Sequence, residues 1–331
     1  MSADPIDQAE AGVLCLRPER DFTSMGVDVP AELDVVFADT GHVDEIGPNV
    51  ACVVLPSAGP SLTASMFRHA KGLRLVQYTG AGFDRIPRDV LEDIGCAVCN
   101  VPGASARDVA SYVVIVSGML LRRLLIGDEL VKGGRYADAR AALSPERVRG
   151  FRGLRVGIIG FGGIGAEVAA AFRQLGSSIR WFDPGVEPRT EIERSEEAAF
   201  SELLHWSELL TVHVPLLDST RGLIGRREVA RLSPGAILVN AARGGIVDEA
   251  ALVAALDAGG LGGVALDVYR QEPLPASSPL IGAGMRHPGK VILTPHIAGV
   301  TPEASRELFQ RAWANVVAVI AHGGVPTDRV L

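Results

Sequence analysis

The chain has 331 residues, 47% of them hydrophobic and 21% charged, with a formal net charge of -7. That length suggests two domains with full cores; the composition is that of a globular protein, and the acidic balance argues against nucleic acid as a main partner. Met1–Gly12 is acidic and polar and does not read as a secretory signal, and the most apolar stretch, Val109–Leu125, is too short and too interrupted by Ser111, Tyr112, Ser117, Arg122 and Arg123 to span a membrane. The expected setting is the cytoplasm, with no membrane partner.

Up to Val101, apolar runs alternate with polar or helical stretches. Strands are predicted at Val13–Leu16, Asp34–Ala38, Ala51–Leu55, Leu73–Tyr78 and Ala97–Val101, and helices at Leu62–Ala70 and Pro87–Ile94. Such alternation implies a parallel sheet covered by helices on both faces. The loop after the fourth strand, Thr79-Gly80-Ala81-Gly82-Phe83-Asp84, stands where parallel sheets form ligand crevices. Its glycines free backbone N–H groups to hold an anion; alternatively it is a plain turn in which Asp84 caps the next helix. Cys96 and Cys99 have a C-x-x-C spacing. In a strand they point to opposite faces, about 10 Å apart, too far for a disulfide. Cys15 and Cys52 do not form a second such pair to complete a zinc site, so no metal is expected.

Asn100-Val101-Pro102-Gly103 reads as a domain crossing. One long helix is predicted over Ala106–Lys132, ended by Gly133-Gly134. Its middle, Tyr112–Leu121, is apolar nearly all round, so it must be buried on more than one side. Burial between the two domains and against a second copy of the chain would satisfy it, hence an expected homodimer. Tyr136–Gly153 reads as a polar connection.

Leu154–Asp183 organises the rest. A strand, Leu154–Ile159, runs into Gly160-Phe161-Gly162-Gly163-Ile164-Gly165; a helix follows over Ala166–Leu175, stopped at Gly176; then comes a strand, Ser178–Phe182, with Asp183 at its end. Gly160 permits a tight turn, Gly162 lets backbone approach a pyrophosphate, and Gly165 lets helix and strand pack closely. The helix N-terminus offers free N–H groups to the phosphates, and Asp183 is placed for ribose hydroxyls. A carboxylate there repels a 2′-phosphate, which favours NAD over NADP.

Further on, Glu187–Glu197 reads as loop and solvated helix. Helices are predicted at Glu202–Glu208, Arg226–Leu232 and Glu249–Ala258, the last capped by Asp248. Strands are predicted at Leu209–Val214, Ala236–Ala241, Gly263–Leu266 and Val291–Thr294. Each strand delivers a polar residue at its carboxyl end, where an open sheet binds ligand. Three stand out: Arg243, Glu272 and His296. Arg243 can clamp a carboxylate and polarise the adjacent carbonyl. His296 can give a proton to the carbonyl oxygen or remove it in reverse. Glu272, bonded to His296, would orient the ring and favour its protonated form. Singly, each is more often a surface or structural residue; together, downstream of a dinucleotide fingerprint, they favour catalysis.

From Gln77 to Gly299 the chain resembles the NAD-dependent D-2-hydroxyacid dehydrogenases. The resemblance rests on GFGGIG with Asp183, HVPLLDSTRGLIG, VNAARGGIVDEAALVAAL, LDVYRQEP and TPHIAG. It implies two doubly wound α/β domains: a flavodoxin-like substrate domain from residues 1–101 and 300–331, and a Rossmann NAD-binding domain from 102–299. Thr301–His322 would be a helix returning to the first domain, and the protein a dimer through the nucleotide domain. The resemblance implies Arg243, Glu272 and His296 as the catalytic set, and the backbone of Ala81 and Gly82 as holding the carboxylate of a 2-keto or 2-hydroxy acid. Gly162, Gly163 and Ile164 would meet the pyrophosphate and Asp183 the ribose. His213, Pro215 and Thr220 would line the adenosine side, and Ala241, Asp267 and Gly299 would lie near the nicotinamide. Two departures matter. Ser105 and Ser111 replace an Asn and a Glu common in the family stretch Asn-x-x-x-Val-Ala-Glu. Glu272 stands where formate dehydrogenases of the family carry Gln. The sequence stops soon after its final predicted helix, so the regulatory domain of longer phosphoglycerate dehydrogenases is not expected. Glyoxylate- or hydroxypyruvate-reductase-like and phosphoglycerate-dehydrogenase-like activities are the expected range. A dehydrogenase of another small oxyanion, such as phosphite, and an NAD(H)-sensing co-repressor are the rivals.

Overall fold

Apolar side chains alternate between two faces along the central strands, and this period of two gives each sheet two cores. The computed structural model describes residues 12–39, 43–144 and 148–331; except for Gly12, the acidic N-terminal stretch read above lies outside them. The described residues divide into two units, one from Met1–Ser105 with Val300–Leu331, the other Ala106–Gly299.

The first unit carries β1 (Val13–Cys15), β2 (Val35–Phe37), β3 (Cys52–Leu55), β4 (Leu75–Tyr78) and β5 (Ala97–Cys99). All pairings are parallel, in the order β2-β1-β3-β4-β5. This is the flavodoxin-like order, with its switch point between β1 and β3. Leu14, Val53, Leu55, Val76, Tyr78 and Val98 fill one core; Val13, Cys15, Cys52, Val54, Leu75 and Cys99 face the other. The helix Pro302–Val316 closes that second core: its Phe309 and Trp313 rings lie 4.6 and 5.1 Å from Phe22. The end of the chain therefore completes the unit that its beginning started. Cys96 and Cys99 belong to opposite cores. All four thiols are free, and burial pushes Cys96 and Cys99 up to about 11 and Cys15 up to about 12. The helix expected at Leu62–Ala70 is only a 3-10 turn, Ala64–Phe67. The Met66 carbonyl, which an α-helix would need for its own ladder, accepts from the Ile46 N–H instead, at 2.7 Å.

The second unit carries β6 (Arg155–Ile159), β7 (Ser178–Phe182), β8 (Leu209–Val212), β9 (Ala236–Asn240), β10 (Leu261–Leu266) and β11 (Val291–Leu293). They are parallel, in the order β11-β10-β9-β8-β6-β7. The chain reverses its direction across the sheet between β6 and β8, which opens a crevice at their carboxyl ends. Val156, Ile158, Ile237 and Val239 pack with the helices Ala106–Leu121 and Gly163–Gln174. Leu210, Val212, Leu238 and Leu266 pack on the other face, with the helices Phe200–Trp206, Glu249–Asp257 and Pro279–Arg286. The last of these was not predicted.

The single helix expected over Ala106–Lys132 is two, Ala106–Leu121 and Leu124–Lys132, bent by 59°. Arg123 sits in the left-handed region at φ 51°, which ends the i to i−4 ladder. The stretch expected to be a plain connection contains a helix, Tyr136–Ala142. Among the described residues no single helix is long and apolar enough to cross a membrane.

Candidate active site

At the crevice of the second unit, the glycine turn leaves β6 with Gly160 at φ 90°, where a side chain is strained. A Cβ there would stand 2.6 Å from the His213 carbonyl carbon and oxygen, so the glycine brings the β6 and β8 exits together. A Cβ on Gly165 would stand 2.1 Å from the Gly160 oxygen, so this glycine seats the helix on the turn. At Gly162 and Gly163 a Cβ would meet nothing within 4 Å, and the helix they begin has no side-chain cap. The residues fit a pyrophosphate: backbone N–H groups at a helix N-terminus, with open space in front of them. Ile164 in that first turn packs against the core. Phe161 stacks on Trp181 at 4.2 Å.

Asp183 is half-buried and ties this turn to β7. Its Oδ2 accepts the Phe161 N–H at 2.8 Å and its Oδ1 the Gly185 N–H at 2.9 Å. Each oxygen keeps acceptor capacity for a ribose hydroxyl. His213 shares a 2.8 Å hydrogen bond between its Nε2 and the Thr211 hydroxyl. Its Nδ1 is enclosed without a partner, and burial pushes the ring down to about 3, so it is neutral. Pro215 is exposed. The Thr220 hydroxyl donates to the Pro215 carbonyl at 2.6 Å and accepts the Leu217 N–H at 2.8 Å, closing the turn between them.

At the exits of β9, β10 and β11 the three singled-out side chains are held by backbone. Asn240, buried at the end of β9, accepts the Ala242 N–H at 3.1 Å and donates to the Arg243 carbonyl at 3.0 Å, which fixes the loop Ala241–Arg243. Ala241 packs against the core, and Arg243 is half-buried, its guanidinium donating to the Ala242 carbonyl at 2.8 Å. A Cβ on Gly244 would lie 1.8 Å from the Tyr269 oxygen. Only glycine lets this loop approach the segment leading to Glu272.

Glu272 accepts the Tyr269 N–H at 3.0 Å on Oε1 and meets the His296 Nδ1 at 2.8 Å with Oε2. Burial raises the Glu272 carboxyl. The hydrogen bonds from His296 and Tyr269, with the nearby charge of Arg243, outweigh this and hold it below the usual carboxylate range. An ionised Glu272 can only accept, so His296 carries a proton on Nδ1 and presents Nε2. His296 itself sits at φ 57°, and its N–H donates to the Asp267 carbonyl at 2.8 Å.

Asp267, 1% exposed, pins the loop that carries His296. Its Oδ1 accepts the Ile297 N–H at 2.9 Å and the Thr294 hydroxyl at 2.5 Å; its Oδ2 accepts the Ala298 N–H at 2.8 Å. Thr294 has spent its only hydrogen on Asp267, so it accepts from the Tyr112 hydroxyl, 2.6 Å away. Gly299 is half-buried just beyond. Thus Glu272 and His296 are in direct contact, Arg243 acts on Glu272 through its charge, and Asp267 braces the loop. The roles of Tyr112, Thr294, Asn240 and Gly244 were not read from sequence. Tyr112 looked like one more apolar-face residue, and nothing local marks a hydroxyl that reaches 182 positions along the chain.

Ala81 and Gly82 lie in the first unit, half-buried, in the loop after β4. Of the two departures from the family stretch, Ser111 spends its hydroxyl on the Asp108 carbonyl of its own helix, 2.8 Å away, and is exposed.

Residues 116–298 match the model of the D-isomer specific 2-hydroxyacid dehydrogenase, NAD binding domain. The chain is 34% identical to a glyoxylate reductase of Aeropyrum pernix, over 81% of this chain and 79% of that protein. It is 35% identical to a D-3-phosphoglycerate dehydrogenase of Archaeoglobus fulgidus, over 78% of this chain but only 47% of that longer protein. In structure it superimposes on a glyoxylate reductase from Paecilomyes thermophila with a TM-score of 0.80, at 24% identity, over 97% of this chain and 98% of the other.

Proposed function

The chain belongs to the NAD-dependent D-isomer-specific 2-hydroxyacid dehydrogenases, and from that premise we propose that it interconverts a small 2-keto acid and its D-2-hydroxy acid with Arg243, Glu272 and His296 as the reacting set. The observation that carries this is the 2.8 Å contact between the His296 Nδ1 and an ionised Glu272, beside the charge of Arg243. NADH, when bound, supplies the hydride to the carbonyl carbon. Gly162, Gly163 and Ile164 would hold its pyrophosphate by backbone N–H groups, and Asp183 its ribose. His213, Pro215 and Thr220 would border the adenosine, and Ala241, Asp267 and Gly299 the nicotinamide.

His296 gives the proton on Nε2 to the carbonyl oxygen, while Glu272 on Nδ1 keeps the ring in place and stabilises its charged form. Arg243 holds the substrate carboxylate and draws electron density from the adjacent carbonyl. The N–H groups of Ala81 and Gly82 are further carboxylate donors. In the reverse direction the neutral Nε2 takes the hydroxyl proton. The His296→Ala variant should bind NADH nearly as the parent does and turn over about 10² times more slowly or worse; steady-state rates with NADH and a panel of glyoxylate, hydroxypyruvate, pyruvate and bulkier 2-keto acids measure this. An unchanged rate removes His296 as the acid. Tight NADH binding with no turnover on any member of the panel would replace catalysis by sensing.

The cytoplasm is the proposed location, and a homodimer the proposed assembly. Ile115 is 59% exposed, Leu124 50% and Tyr136 67%, apolar side chains of the kind that a second copy would cover.

A further inference from the structure

Two carbonyls of the loop Thr79–Gly82 are tied down on one side. The Gly80 oxygen accepts the Val101 N–H at 2.9 Å. The Ala81 oxygen accepts the Asn100 Nδ2 at 2.6 Å. Only the amide NH2 can approach a carbonyl, so the orientation of the Asn100 side chain is fixed by chemistry. In a planar trans peptide the N–H points opposite to the C=O of the same unit. The Gly80 carbonyl shares its peptide plane with the Ala81 N–H, and the Ala81 carbonyl with the Gly82 N–H. With both carbonyls held toward the exit of β5, both N–H groups point the other way. Neither has an acceptor among the described residues, and both residues are half-buried. Asn100 is 6% exposed, and its other amide atom, Oδ1, has no partner. Ala81 and Gly82 have no polar side chains of their own with which to fix the second plane.

We infer that Asn100 is the positioning residue of the substrate-anion loop: by holding the Ala81 carbonyl it aims the Gly82 N–H, next to that of Ala81, at the carboxylate of the 2-keto acid. The inference rests on the proposed role of Ala81 and Gly82, and it adds the group that makes two loop N–H groups an anion site rather than a flexible turn. Asn100 touches no reacting atom. Its loss frees one peptide plane, so it affects the binding of the acid and leaves the dinucleotide, whose glycine turn is in the other unit, untouched.

The test uses oxamate, a 2-keto acid analogue that is not reduced, titrated into the enzyme–NADH complex by calorimetry. Asn100→Ala and the nearly isosteric Asn100→Asp, which sets a carboxyl group against the Ala81 carbonyl, should both raise the oxamate Kd by about tenfold, while the NADH Kd stays within about twofold. Retained NADH binding shows that a variant is folded, and if the Ala variant does not fold the Asp variant decides. A merely structural asparagine would weaken both ligands or neither. Gly82→Pro, which deletes one donor N–H, separates the two claims. If it weakens oxamate while the Asn100 variants do not, Asn100 has no positioning role and the carboxylate reading stands. If neither position affects oxamate, the carboxylate reading fails and takes the inference with it. If only the Asn100 variants weaken oxamate, Asn100 acts by some route other than this loop, and the inference is overturned.

Discussion

Gly160–Gly165 and Thr79–Gly82 are both glycine loops that leave a parallel strand and turn backbone N–H groups outward, yet they are held differently. The first is welded in. A helix of twelve residues grows from it, Phe161 stacks on Trp181, Asp183 grips the Phe161 N–H, and Gly160 and Gly165 press backbone on backbone. In the second, Thr79 is anchored by its N–H to the Leu55 carbonyl at 2.9 Å and by Arg17 on its hydroxyl at 3.4 Å, and beyond it Gly80 and Ala81 are held by Val101 and Asn100, with Gly80 packed on Ser57, where a Cβ would come 2.5 Å from the hydroxyl. A site for a cofactor of fixed shape gains from rigid backbone and a helix dipole. The segment Gly80–Gly82, held by one side-chain and one backbone hydrogen bond, can be altered by few substitutions, which suits the part that meets a variable substrate.

The largest effect is expected from Gly165→Ala. Its new Cβ meets backbone 2.1 Å away that cannot yield, so we expect a loss of about 3 kcal/mol or more in urea unfolding, with NADH binding lost alongside. An unchanged midpoint would mean that the turn is far softer than described. Asp183→Ala removes both the tether on Phe161 and the carboxylate that repels a 2′-phosphate. NADH should bind about tenfold more weakly and the discrimination against NADPH should shrink; Kd values for the two cofactors by fluorescence decide it.

Glu272→Gln extends the comparison to a third strand-end loop, held by side chains rather than glycine. Because the fold lowers the Glu272 pKa, its contribution to stability is complete above the unfolded carboxyl range and is lost as pH falls through the lowered folded value. The variant should therefore be less stable than the parent at pH 7, and the gap should close below about pH 4. Parallel urea titrations at the two pH values check the sign, and a gap that widens in acid refutes it. The smallest effect on folding is expected from Gly162→Ala, where a Cβ meets open space. Its Tm should move by about 2 °C at most, while NADH binding weakens because the methyl occupies the approach to the phosphates. A matched drop in Tm would make Gly162 a folding glycine like Gly165.

The strands were legible because a parallel sheet buried on both faces demands apolar runs, and the predicted ranges differ from β1 to β11 by only a few terminal residues. The glycine spacing of Gly160–Gly165 and the acid at Asp183 were legible for the same kind of reason: turn, close packing and ligand approach each restrict a single position. Arg243, Glu272 and His296 could be picked from sequence because each follows a strand. Their contact could not, since 24 residues separate Glu272 from His296 and the loops between strands have no period. Helix ends were less legible. The break at Arg122–Arg123 depends on one left-handed residue, and the short turn at Ala64–Phe67 on a carbonyl claimed by Ile46.

The strands, the dinucleotide turn and the identity of the polar groups at the strand ends are encoded locally, because they are set by periodicity and by which residues a given backbone conformation tolerates. Which of those groups meet, and through what, comes from the folded chain: Gly244 closing on Tyr269, Tyr112 bonded to Thr294 and through it to Asp267, Asn100 holding the Ala81 carbonyl. Such contacts join residues far apart in the chain, and a hydrogen bond has a direction in space that a linear order of residues does not contain.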